Sequence, residues 1–148
     1  MLIPDEYVSN SAERLSLYTQ LDEIKDEAGI TAFSKMLEDR FGKIPKQVNF
    51  LFDGLRLRWL CKKIGFERLI LKGGKLRCYF VGDPQSSFYE TEQFNKIIQF
   101  VGAKGRIMGY HLKQTAKDFI FVQDEIRGMK QAKGTLEVLI GVVTPVAH

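Results

Sequence analysis

The chain has 148 residues, is 45% hydrophobic and 11% aromatic, and carries a net charge of +4 at neutral pH. That length suits one compact domain over residues 1–148, and eleven Phe with five Tyr exclude a disordered chain. No apolar run approaches the roughly 20 residues needed to span a bilayer, and the amino terminus lacks the basic-then-apolar layout of a secretion signal.

A first helix is predicted from about Asn10 to Glu27, capped by Asn10 or Ser9. Leu15, Tyr18, Leu21 and Ile24 follow helical spacing on its apolar side, and Asp22, Glu23, Asp26 and Glu27 occupy the other. Gly29 should break it. Thr31 can then cap a second helix with Phe33, Met36, Leu37 and Phe41 on its apolar side, ended by Gly42. A third helix, about Pro45 to Ile64, has two apolar stripes. One holds Val48, Phe52, Leu55 and Trp59; the other holds Phe50, Leu57, Leu60, Cys61 and Ile64. A surface helix needs only one stripe, so this one is expected to be covered on both faces and to be central, with Gly65 closing it.

The period then changes. Phe66 to Leu71 and Lys75 to Val81 read as strands joined at Gly73-Gly74, a tight hairpin signal. Asp83 to Ser87 is a loop, and a helix follows from Thr91 to Val101. Gly102 and Gly105 should bracket a turn, with strands near Arg106–Leu112 and Asp118–Val122. A last helix is expected from about Ile126 to Val142, with Pro145 ending regular structure. The fold class is therefore α+β: amino-terminal helices with a central buried helix packed against a small antiparallel sheet of about four strands.

Charge is uneven along this order. Met1–Gly42 holds nine acids against four bases, whereas Lys43–His148 holds nine against eighteen. The acidic end is either a solvated face or a docking surface for a basic partner.

Catalytic chemistry finds little to work with. Of the two histidines, His148 is the last residue and His111 lies in a predicted strand. Cys61 and Cys78 have no CxxC spacing and read as reduced core thiols, and with His111 they do not make four zinc ligands. Asp22, Glu23, Asp26 and Glu27 lack the loop of a calcium site. Gly73-Gly74-Lys75 lacks the spacing of a phosphate loop. No catalytic, cofactor or metal site is expected, and the chain should neither bind nor hydrolyse ATP. Lys43, Lys46, Arg56, Arg58, Lys62, Lys63 and Arg68 raise a basic nucleic-acid-binding module as the alternative. On the third helix, Arg56/Lys63 and Arg58/Lys62 form two strips flanking apolar faces, which suits snorkelling around a buried helix. Direct DNA binding by the chain is not expected, and any that occurs should be weak, sequence-independent and steeply salt-dependent.

Three local runs point to one family: Leu2-Ile3-Pro4-Asp5-Glu6-Tyr7-Val8, Arg14-Leu15-Ser16-Leu17-Tyr18, and Met36-Leu37-Glu38-Asp39-Arg40-Phe41-Gly42-Lys43-Ile44-Pro45. Together, over Met1 to Ile64, they resemble the C-terminal domain of the bacterial transcription-repair coupling factor. The resemblance implies a regulatory, autoinhibitory domain of a cytoplasmic DNA translocase whose ATPase motifs lie elsewhere in the parent. It would fold back on the parent's UvrB-like amino-terminal module and mask the surface that recruits UvrA, with RNA polymerase reached through the parent. It also implies that Asp39, helped by Glu38, meets arginine on that module, with Asp22, Glu23, Asp26 and Glu27 as secondary docking candidates. The family often has an acid one turn earlier, where this chain has Met36. Pro4, Asp5, Arg14, Tyr18, Arg40 and Phe41 match as fold-defining residues.

Overall fold

The computed structural model describes residues 2–144, which form five helices and one four-stranded antiparallel sheet, an α+β fold. The helix-ending role expected of Pro145 falls outside the described residues, as does His148. The described residues divide between Arg56 and Leu57 into two compact units.

The first unit holds α1 (Ser11–Asp22), α2 (Glu27–Phe41) and the first half of α3 (Lys46–Ile64). Asn10 caps α1, its side chain accepting the Glu13 N–H at 2.9 Å. The helix ends at Asp22, short of the expected Glu27. Its buried residues are Leu17 and Leu21, whereas Leu15 is 69% exposed. The sequence interleaves two apolar rows at helical spacing, and the i, i+4 pair Leu17/Leu21 is the one that meets the core. Gly29 does not break the chain. Asp26 caps α2 by accepting the Gly29 N–H at 2.8 Å, so the helix begins well before Thr31. A side chain at Gly29 would stand 2.8 Å from Ile24 Cγ2. Ile30, Phe33 and Leu37 are buried, and the Phe33 ring meets Phe52 of α3 edge-on at 6.2 Å.

The two stripes of α3 are used in succession rather than side by side. Val48, Phe52 and Leu55 are buried before the division, and Leu57, Cys61 and Ile64 after it. Phe50 is 41% exposed, so the second stripe is not covered along its whole length.

In the second unit α3 ends at Gly65, whose φ of +112° few other residues adopt. Strands β1 (Arg68–Lys72) and β2 (Lys75–Tyr79) pair across Gly73 and Gly74, both at positive φ as a tight two-residue turn requires. Ser87–Glu90 forms a short 3₁₀ turn that the residue pattern does not announce. Thr91 caps α4 (Glu92–Met108), two turns longer than expected. Gly102 and Gly105 lie inside this helix rather than in a turn. The intrinsic cost of a helical glycine, about 1 kcal/mol, is outweighed at Gly105 by close packing. A Cβ there would lie 2.6 Å from the Tyr110 carbonyl oxygen. The real terminator is Gly109, left-handed at φ +76°, and β3 (Tyr110–Gln114) follows it. β4 (Phe119–Gln123) and α5 (Met129–Val143) complete the unit, and the strands lie in the order β1-β2-β4-β3.

One face of the sheet joins the core. Leu76, Cys78, Tyr110 and Phe121 cluster there with Leu57, Cys61 and Ile64 of α3, Ile97 and Val101 of α4, and Ala132, Leu136 and Leu139 of α5. Gln123 is buried beside them, its side-chain oxygen accepting the Thr135 hydroxyl proton. Cys61 and Cys78 are free thiols in this core, and a hydrogen bond with Cys61, with burial after it, holds the Cys78 thiol pKa well above its ordinary value.

The two helical glycines should respond with opposite signs. Gly105→Ala is expected to lower the melting temperature, because a backbone carbonyl cannot swing away from the new methyl. Gly102→Ala has nothing within 4 Å of the added carbon and should gain about 0.5–1 kcal/mol of helix propensity. Paired thermal melts check both signs at once.

Candidate docking surface

The turn after α2 is tied from several sides. Gly42 leaves the helix at φ +89° and donates its N–H to the Glu38 carbonyl at 3.0 Å. The Tyr7 hydroxyl, from the amino-terminal segment, donates to the Gly42 carbonyl at 2.9 Å and lies 3.3 Å from the Leu37 carbonyl. Desolvation of that hydroxyl, and then the charge of Glu38, push its pKa above the ordinary phenol value. The Tyr7 and Phe41 rings pack at 5.8 Å, and the Arg40 guanidinium lies 4.8 Å from the Phe41 centroid. Arg40 also pairs with Glu13 of α1. Upstream, Arg14 donates to the Val8 carbonyl at 2.7 Å and pairs with Asp5 at 3.5 Å, while the Tyr18 hydroxyl accepts the Ile3 N–H. The three sequence runs are thus brought together, and Pro4, Asp5, Tyr7, Arg14, Tyr18, Arg40 and Phe41 serve the local fold. Tyr7→Phe should cost about 0.5–1.5 kcal/mol through the lost Gly42 bond, read as a lower midpoint in urea denaturation.

Glu38 and Asp39 stand apart from this lattice. Both are exposed on the last turn of α2, and neither carboxylate makes a hydrogen bond or ion pair among the described residues. Met36, one turn earlier, is half-buried. Glu38 also borders a groove of about 360 Å³ between α2 and α3, lined by Thr31, Ser34 and Lys35 on one side and Asn49, Phe52 and Arg56 on the other. Asp39 does not line it.

The other four acids do not share one helix face, because α1 stops at Asp22. Asp22 is its last residue, Glu23 its carboxyl cap, Asp26 the amino cap of α2 and Glu27 the first residue of α2. Glu27 holds the Arg56 guanidinium through both oxygens, at 2.6 and 3.0 Å, and Asp53 adds a third bond at 3.0 Å. These partners, Glu27 first, raise the Arg56 pKa. Asp26 and Glu27 therefore have structural tasks that the sequence pattern left open, since a capping acid and a surface acid look alike in a charge run. Arg56 is taken out of the basic strip, whereas Lys62 and Lys63 stay exposed in the last turn of α3.

Elsewhere, the exposed His111 lies 3.4 Å from the half-buried Asp124, which also pairs with Lys75 at 3.4 Å. Among the described residues no three His, Cys, Asp or Glu side chains are grouped to hold a metal, and no helix is long and apolar enough to cross a membrane.

A helical amino-terminal unit with a locked acid-arginine-phenylalanine-glycine turn, followed in the chain by a unit with a four-stranded antiparallel sheet, defines a small α+β module. A family model, the TRCF domain, matches residues 1–91, and the chain belongs to that family. It is 36% identical over 69 residues to the transcription-repair-coupling factor of Rickettsia bellii (strain RML369-C), and 34% identical over 68 residues to that of Escherichia coli (strain K12). These stretches cover 47% and 46% of this chain, and 6% of each relative's length. The crystal structure of a C-terminal domain of transcription-repair coupling factor shares the fold, with a TM-score of 0.66 and 17% identity, over 96% of this chain and 88% of that one.

Proposed function

We propose that this chain is a regulatory docking domain of a DNA translocase that couples transcription to excision repair. It acts as one domain in the cytoplasm, as part of a longer parent protein. Asp39, assisted by Glu38, pairs with arginine on the parent's UvrB-like amino-terminal module, covers the surface that recruits UvrA, and restrains the motor. RNA polymerase is engaged through the parent and not by this chain. The observation that supports the reading best is the contrast within one turn. Its arginine, aromatic ring and glycine are all engaged internally, the glycine by Tyr7 of the amino-terminal segment, while its two carboxylates are exposed and unpaired among the described residues. An exposed carboxylate on the last turn of a helix can take a guanidinium through both of its oxygens, and a second anion beside it adds to the local negative field. Deleting the chain from its parent tests the idea: immobilised UvrA should then retain the parent more strongly than it retains the intact protein. Equal retention would remove the masking role.

A further inference from the structure

We propose that a cavity beside the β3–β4 turn takes the guanidinium of an arginine side chain on a peptide, a site separate from the docking turn and independent of that reading. The cavity holds about 430 Å³, and its walls all come from the second unit. Three rings line it: Tyr89 of the 3₁₀ turn, Phe94 of α4 and Phe119 of β4. Phe94 meets Tyr89 at 5.0 Å and Phe119 at 6.1 Å, with planes 89° and 65° apart, so the rings form a corner and not a stack. Phe80, 2% exposed, backs two of them, stacking on Phe119 at 5.2 Å and meeting Phe94 edge-on at 5.3 Å. The Tyr89 hydroxyl donates to the Val81 carbonyl, which fixes the third ring. The corner is thus held in place, yet it is open. All three rings are partly accessible, and Gln114 and Lys117, also in the lining, are exposed.

An aromatic corner alone is no more than the edge of a core, but this one carries an acid. Asp118 lines the same cavity and is half-buried, and its carboxylate makes no hydrogen bond or ion pair among the described residues. The turn does not need that carboxylate. It closes through the Asp118 backbone, whose N–H donates to the Thr115 hydroxyl oxygen at 2.9 Å and whose carbonyl accepts the Thr115 N–H at 2.8 Å. A partly desolvated anion without a partner is unfavourable, and a bound cation would offset that. Desolvation, and then the charges of Glu67 and Asp83, push the Tyr89 pKa above the ordinary phenol value, so the surroundings are negative on that side as well. A cation is also attracted to an aromatic face within about 6 Å of the ring centroid. A guanidinium suits rings and acid together. Its plane stacks on a ring while its N–H edge takes a carboxylate through both oxygens, which an ammonium cannot do. The Gln114 carboxamide has no partner among the described residues and offers a donor and an acceptor to a peptide backbone. Lys117 is the one cation in the lining among the described residues, and it works against such a ligand.

Titration of the ¹⁵N-labelled 148-residue chain with the end-capped peptide Gly-Ala-Arg-Ala-Gly, followed by amide chemical shifts, tests the idea. The expected dissociation constant is about 0.1–5 mM, at the weak end of the affinity scale, with shifts centred on Tyr89, Phe94 and residues 115–119. The same peptide with citrulline, neutral and of like shape, should bind at least about tenfold more weakly, and with lysine about threefold more weakly. Methylguanidinium alone should bind more weakly than the peptide. Asp118→Asn should weaken binding at least about fivefold, and Lys117→Gln should tighten it about twofold. Phe94→Leu should weaken it about threefold; if that variant fails to fold, the isosteric change at Asp118 decides the matter. Asp39→Asn, at the docking turn, should leave affinity within about twofold, which keeps a failure of this site apart from a failure of that one. No saturable shift up to about 20 mM peptide would overturn the proposal. So would unchanged affinity in Asp118→Asn, shifts centred on Glu38 and Asp39, or equal binding of the citrulline peptide, the lysine peptide or methylguanidinium.

Discussion

Replacing Asp39 by arginine in the full-length parent should increase its affinity for UvrA and its translocation activity. The effect follows from what Asp39 does and does not touch in its own domain. It is exposed on the last turn of α2 and has no partner among the described residues, so the domain itself should lose no more than about 0.5 kcal/mol. Across a docking interface the same change removes an anion from a guanidinium and adds a repelling cation. Breaking a buried, hydrogen-bonded charge pair in this way costs about 2–5 kcal/mol. A closed state held by a few kcal/mol would shift largely to open. Thermal melting of the variant domain is the control. Unfolding would make Asp39 structural. A folded domain in a parent still fully restrained would place the docking surface elsewhere, with the exposed Glu23 at the end of α1 the next acid to reverse.

Phe121→Ala should be the most damaging single substitution in the second unit. Phe121 lies in β4, between β2 and β3, is 0% exposed, and packs its ring 5.1 Å from Tyr110 and 6.0 Å from Phe66. The cavity and lost transfer energy together cost about 3–5 kcal/mol, a large share of the stability of a domain this size. Guanidinium denaturation should show a much lower midpoint. Phe50→Ala, at a ring already 41% exposed, should change it little. A small loss at Phe121 would mean that β4 is not where the core is concentrated.

How far the sequence foretells this fold depends on whether its signals are local. The hairpin at Gly73-Gly74 was legible because positive φ at two successive positions leaves few other residues. The stop at Gly42, at φ +89°, is legible for the same reason, and the cap at Asn10 because a short side-chain oxygen there can accept a free helix N–H. Gly105 misled, since the residue that permits a turn also permits a backbone to pass close to a helix, and only the position of Tyr110 distinguishes the two. Asp26 and Glu27 read as helix surface because a cap and an ion pair 29 residues away in sequence, with Arg56, leave no periodic trace. Leu15 and Leu17 were interchangeable by spacing, and packing chose Leu17. At the end of α2, the exposure of Asp39 and Glu38 could be expected from their place on its last turn. The hold of Tyr7 on Gly42 could not, because it joins residues 35 apart.

The most direct measurement is isothermal titration of the 148-residue chain into the parent's isolated amino-terminal module, wild type beside Asp39→Arg. The account predicts saturable binding by the wild type and at least about tenfold weaker binding by the variant, equivalent to about 1.4 kcal/mol or more. Equal affinity of the two, or no binding by the wild type, would contradict it.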